Sequence, residues 1–162
     1  MNICFAKKTE KYNLDDQDLL IRAIEKIAEI CNLSSLVPSS ELTLPVILLD
    51  DDQITEINET YLNHEGPTDV ISFDYVEDFD EETDSDDEFT IGELYISLET
   101  AERQGKEYGK PLNDELLLYI AHGILHICGY DDHCEEDIIE MRKAEQRVLT
   151  ELEKRLGKVE VI

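Results

Sequence analysis

His122 and His126 stand four residues apart in the run His-Gly-Ile-Leu-His-Ile-Cys-Gly-Tyr-Asp-Asp-His, with Gly129 three residues after the second. On a helix, residues four apart bring their Cβ atoms to about 5 to 6 Å. Two imidazoles so placed can meet one zinc ion at about 2.0 to 2.1 Å each. Gly129 takes the left-handed conformation that stops a helix and turns the chain back, so a group soon after it supplies a third ligand and leaves a fourth position for water. Asp132 and His133 both suit that role. Imidazole is the commoner choice but needs one more residue of turn, and the two stay open at this point. The competing reading is a pair of structural histidines on a half-exposed helix face. It is the weaker one, because three of the four histidines fall within twelve residues.

The pattern parallels the zinc-protease run His-Glu-x-x-His-x-x-Gly-x-x-His, in whose register Asp132 takes the third position. Gly123 stands where that pattern has its glutamate base. Peptide hydrolysis of that type needs a carboxylate there to take a proton from water, so the ligand geometry does not carry protease chemistry with it.

With 162 residues, the chain suits one domain over 1–162. Its 41% apolar content suffices for a core. Forty Asp and Glu against fourteen Lys and Arg give a net charge of −26, which opposes unassisted binding to a nucleic-acid backbone. No stretch approaches a membrane span and the first residues lead into charge, so a cytoplasmic protein with no membrane partner is expected. Cys4, Cys31, Cys128 and Cys134 fit neither a zinc Cys-x-x-Cys pair nor a disulfide framework, and are expected as thiols.

Along the chain, a short strand from Asn2 to Ala6 leads to a helix from about Asp16 to Cys31 with Leu20, Ile24, Ile27 and Cys31 on one stripe. Leu42, Leu44, Val46 and Leu48 alternate as in a half-buried strand, with Pro45 placing it at an edge or leaving it bonded on one side only. Asp50 to Asp52 open a helix that ends at Asn63-His64-Glu65-Gly66-Pro67. Val70 to Phe73 and Ile91 to Ser97 are further strands. Nine of the twelve residues from Glu77 to Glu88 are acidic, and such a run repels itself, so a flexible acidic loop is expected at about 76–89. Three helices follow: Leu98 to Tyr108 with Ser97 as cap, then the histidine helix to Cys128, then Glu135 to Leu156.

The motif His122 to Asp131 resembles the hallmark His-Gly-x-Leu-His-x-x-Gly-Tyr-Asp-His of the YbeY family of metal-dependent endoribonucleases. Ile57-Asn58, Tyr61 and Pro67-Thr68-Asp69-Val70-Ile71-Ser72-Phe73 resemble a second family element at matching spacing, and Gly92-Glu93 a third. The resemblance spans about Leu42 to Met141. It implies an α+β, zincin-like fold in which a small mixed sheet packs with about five helices and the metal helix ends in a glycine turn. It also implies a zinc ion, precursor ribosomal RNA as substrate, maturation of the small-subunit 3′ end, and ribosome quality control. Two positions depart from the family. Its third histidine register holds Asp132, with His133 displaced by one, and Leu62 aligns with a family arginine that is a phosphate-contacting cation in relatives.

The metal residues are therefore His122, His126 and either Asp132 or His133, and the candidate catalytic residues are His122, Asp69 and His64. His64 is either a phosphate-contacting group standing in for the arginine or a surface histidine. Asp69, with Thr68, is either an active-site group that orients a ligand histidine or a turn that orders a strand entry. Arg103 and Lys106 either contact RNA or pair with acids. In the leading reading, zinc lowers the pKa of water from 15.7 towards about 7 for hydrolysis of a phosphodiester, or the RNA 2′-hydroxyl attacks instead. The alternative is a non-catalytic, metal-containing assembly factor that binds basic ribosomal proteins. Neutralising the nine acids of the insert still leaves −17, so either a local cationic patch or recruitment by a basic ribosomal protein must offset the charge. Recruitment is favoured, and a monomer is the default.

Overall fold

The computed structural model describes residues 1–84 and 86–162. In chain order the elements are β1 (Asn2–Lys7), α1 (Gln17–Ile30), β2 (Glu41–Leu49), α2 (Asp51–Leu62), β3 (Val70–Asp74), α3 (Glu81–Asp84), β4 (Glu88–Thr90), β5 (Gly92–Ser97), α4 (Leu98–Tyr108), α5 (Leu112–Ile127) and α6 (Glu135–Leu156). The helix starts follow local chemistry. Asp16 accepts from Leu19 N–H, Asp50 and Gln53 form a reciprocal capping box, and Ser97 accepts from Thr100 N–H. Each satisfies amide donors that a helix cannot pair internally.

The sheet runs β1-β2-β5-β3, with β4 also beside β2. β1, β4 and β5 are parallel to β2, and β3 closes the sheet antiparallel to β5. β2 is therefore an interior strand, a correction to the half-buried expectation. Leu42, Leu44, Val46 and Leu48 face the main core beneath α1 and α5, while Ile47 and Leu49 join Ile54 of α2 and Ile71 of β3 in a smaller cluster. Helices thus cover both faces, as a largely parallel sheet requires. Pro45 is tolerated because on the β4/β5 side its position falls in a gap: β4 registers with Glu41 to Thr43 and β5 with Val46 to Leu49.

The acidic segment carries short elements of its own. Residues Val76–Asp78 form a 3₁₀ turn, Asp80 Oδ1 accepts from Glu82 N–H at the start of α3, and β4 pairs with β2. Phe79 and Phe89 meet edge to face at 5.1 Å, an apolar clasp that charge counting overlooks. Ser85, within the insert, lies outside the described residues. All four cysteines are free thiols, and among the described residues no helix is long and apolar enough to cross a membrane.

α5 contacts β3 and β5 on one side, α4 and α6 on others, and is buried over most of its length. Its approach to the sheet depends on Gly123. A Cβ there would lie 2.7 Å from Leu94 Cδ2 and 3.1 Å from Ser72 Oγ, and Ser72 Oγ–H donates to the Gly123 carbonyl at 3.3 Å. A glutamate at this position would meet the same crowding. Gly123→Ala is expected to lower stability by about 1–3 kcal/mol, read as a lower denaturant midpoint at unchanged slope. A variant as stable as the parent would mean that Leu94 and Ser72 repack without strain.

Candidate metal centre and its cleft

His122 and His126 project from the same face of α5, their Nε2 atoms 3.0 Å apart and their rings edge to face. The helix then ends in a paired turn. Gly129, at φ +100°, donates its N–H to His126 O, and Tyr130 N–H reaches back to Leu125 O. This is the Schellman arrangement that glycine permits. The reversal returns Asp132 to the histidines, with Oδ2 3.5 Å from both Nε2 atoms. Ligand atoms of His122, His126 and Asp132 all lie within 4.8 Å of one another. Two imidazole nitrogens and one carboxylate oxygen converge as a donor set that suits a divalent metal ion. His133 stands outside this group. Its side chain is 83% exposed and its Nε2 is 3.7 Å from Asp131 Oδ1.

The three residues open onto a cleft of about 1370 Å³ that also reaches His64, Asp69 and Leu62. His64 is exposed on the loop after α2, and that loop is held by Asn58, a buried side chain whose Nδ2–H donates to Gly66 O. Asp69 Oδ1 accepts from Val70 N–H at 2.7 Å and from Thr68 Oγ1–H at 3.3 Å, and its carbonyl accepts from Ser97 N–H. Asp69 therefore orders the entry to β3 while lining the cleft. Arg103 and Lys106 are engaged with acids, at 2.9 Å to Asp51 and 3.0 Å to Glu102.

Two further carboxylates in this cleft escaped the sequence reading. Glu145 of α6 is buried and lies with Oε1 3.7 Å from His122 Nδ1. A charged residue set among Met141, Val148 and Leu152 on the apolar stripe of α6 was the available signal. Glu115, in the first turn of α5, is 3% exposed. Burial pushes its carboxyl above the usual range; Lys110 opposes this, and the nearby charges of Asp114 and Asp69 add to it. A carboxyl whose folded pKa is raised works against folding once it ionises, and this penalty fades as the pH falls through that raised pKa. Glu115→Gln is accordingly expected to be more stable than the parent at pH 7, by a margin that disappears below about pH 4.3, the ordinary glutamate value. Urea denaturation at several pH values measures this. A margin that stayed constant with pH would contradict the assignment to ionisation.

Comparison with known proteins bears on the whole of this arrangement. A family model described as Endoribonuclease YbeY matches residues 3–153. The curated Endoribonuclease YbeY of Fusobacterium nucleatum is 39% identical over 148 residues, which cover 88% of each chain. That of Aquifex aeolicus is 40% identical over 134 residues, 82% of this chain and 84% of the relative. The Clostridium botulinum relative of the same name is 34% identical over 161 residues, 90% and 95% of the two chains. The solution structure of TM1509 from Thermotoga maritima superposes with a TM-score of 0.59 at 25% identity, over 94% of this chain and 90% of that one. Agreement of this extent takes in the mixed sheet, the histidine helix and the glycine turn together, and the chain belongs to the YbeY family of endoribonucleases, with its α+β, zincin-like fold.

Proposed function

We propose that this chain is a zinc-dependent, single-strand-specific endoribonuclease that matures ribosomal RNA at the small-subunit 3′ end and serves ribosome quality control, acting in the cytoplasm as one hydrolase domain over 1–162. The observation that carries the reading is the convergence of His122, His126 and Asp132 at 3.0 to 3.5 Å inside a cleft of about 1370 Å³. His122 and His126 would hold the ion through Nε2 and Asp132 through Oδ2, with Asp132 preferred to His133 because its oxygen already faces both rings. When bound, the ion supplies Lewis-acid polarisation of a phosphoryl oxygen and of a nearby water.

The chain's own groups do the rest. His64, across the cleft, offers an imidazole that delivers a proton to a phosphate or leaving oxygen. Asp69 fixes the entry to β3, and with it the wall that the scissile phosphate passes. The short, packed side chains around Gly123 keep α5 close to the sheet, so the ligand face is rigid before substrate arrives.

Charge sets the partners. Among the described residues the cleft wall carries three cations, Lys110, Arg142 and Lys158, against eight carboxylates, which favours recruitment over a cationic patch within the cleft as the offset to the net charge of −26. Recruitment by basic small-subunit ribosomal proteins, steered by the acidic surface, supplies the affinity for precursor RNA that the cleft alone lacks.

The test incubates zinc-loaded protein with single-stranded and duplex RNA beside folded His122→Ala, His126→Ala, Asp132→Ala and His133→Ala variants. The first three are expected to lose bound zinc, and cleavage should fall by at least about 100-fold, the scale of a misplaced reacting group. His133→Ala should keep both. Equal cleavage by all would point to a contaminating nuclease, and loss confined to His133→Ala would make that residue the third ligand. Tight ribosome association without cleavage would favour the assembly-factor role.

A further inference from the structure

Glu145 occupies a position that the pattern of its helix reserves for an apolar side chain. It sits between Met141 and Val148 on the buried stripe of α6 and is 2% exposed. A buried ionised carboxylate is retained only where partners compensate it. Two groups do so here. Arg142 Nη1 lies 2.7 Å from Oε1 and 3.0 Å from Oε2, reaching in from a side chain that is 65% exposed. On the other side, His122 Nδ1 lies 3.7 Å from Oε1. Arg142 accounts for the charge. It does not account for the carboxylate facing the edge of that ring.

The two nitrogens of His122 have different surroundings. Nε2 points at His126 Nε2 and Asp132 Oδ2, so it must carry a lone pair to serve as a ligand. A neutral imidazole then holds its proton on Nδ1, the nitrogen turned towards Glu145. His126 differs: among the described residues its one carboxylate contact within 4.0 Å is Nε2 to Asp132, and its Nδ1 has none. We infer that Glu145 is a positioning residue for the metal centre, accepting the Nδ1–H of His122 so that the ring keeps the tautomer and orientation that present Nε2 to the ion, with Arg142 compensating its charge. The present 3.7 Å separation is longer than a hydrogen bond, so the inferred bond requires the ring or the carboxylate to turn. Carboxylate partners of this kind typically tune the affinity of the ligand that they orient.

The inference rests on the metal reading above but is tested without RNA. Wild type and Glu145→Gln are titrated with zinc alone in competition with a chelating dye, and the ring nitrogens of His122 and His126 are followed by ¹⁵N NMR. The variant is expected to bind zinc roughly 10- to 100-fold more weakly. In the zinc-free protein its His122 should shift from the Nδ1–H form to a mixture of tautomers, while His126 is unchanged. Unaltered zinc affinity with unaltered His122 shifts overturns the inference, since a purely structural carboxylate would alter folding stability and leave the tautomer alone. Should the variant fail to fold, the zinc-loaded wild type decides: the Nδ1 proton of His122 should exchange with solvent more slowly than that of His126, and equal exchange overturns it. A wild type that takes up no zinc overturns this inference and the metal reading together.

Discussion

The close approach of α5 to the sheet at Gly123 constrains nearly everything else in the molecule. Leu94 and Ser72 pack where a Cβ would stand, and the hydrogen bond from Ser72 to the Gly123 carbonyl fixes the helix at that height and rotation. Burial then holds it. Leu116, Ile120, Ala121 and Ile124 are fully inaccessible, and each large apolar side chain so buried contributes about 1.5–3 kcal/mol relative to exposure. Rotating α5 would lift these groups from the core together, so the direction in which His122 and His126 point is a consequence of packing.

The opposite wall of the cleft is positioned by polar contacts. At its start, α2 is tied to β5 and α4 through Asp51, whose carboxylate accepts from Ser97, Thr100 and Arg103 at 2.7 to 2.9 Å. Burial alone would push that carboxyl up, but hydrogen bonds from Thr100, Ser97 and Arg103 outweigh it and hold the group below the usual carboxylate range. The far end of α2 carries Leu62 and the His64 loop onto the cleft. One wall is therefore set by close packing and the other by a hydrogen-bonded anchor one helix length away. This division leaves the loop after α2 as the less constrained side of the site.

The excess of acid is managed in several ways. Some carboxylates cap helices, as Asp16 and Asp50 do. Some pair with the few cations, and the insert after β3 is held by an aromatic contact and a three-residue strand in spite of its charge. Inside the cleft the surplus stays, which makes the site suited to gripping a cation and poorly suited to gripping RNA by itself.

Much of this was legible from residue order. Helix boundaries followed caps and glycines: Ser97 and Gly129 act locally, through the nearest few amides, and so they fall where expected. The pairing of His122 with His126 was equally local, since one helical turn fixes it. Other features needed the folded chain. The burial of both faces of β2 depends on strands and helices far away in sequence, which alternation along one strand cannot report. Which of Asp132 and His133 faces the histidine pair turned on how three residues after Gly129 coil, where a single peptide of difference redirects the side chain. Glu145 and Glu115 became part of the cleft only because α5 packs against both α6 and α4, and no spacing within one segment encodes a contact between segments. Residue order thus determined the local conformations and the candidate donor groups, which short-range sterics and hydrogen bonds govern, whereas long-range packing decided which of those groups share a space.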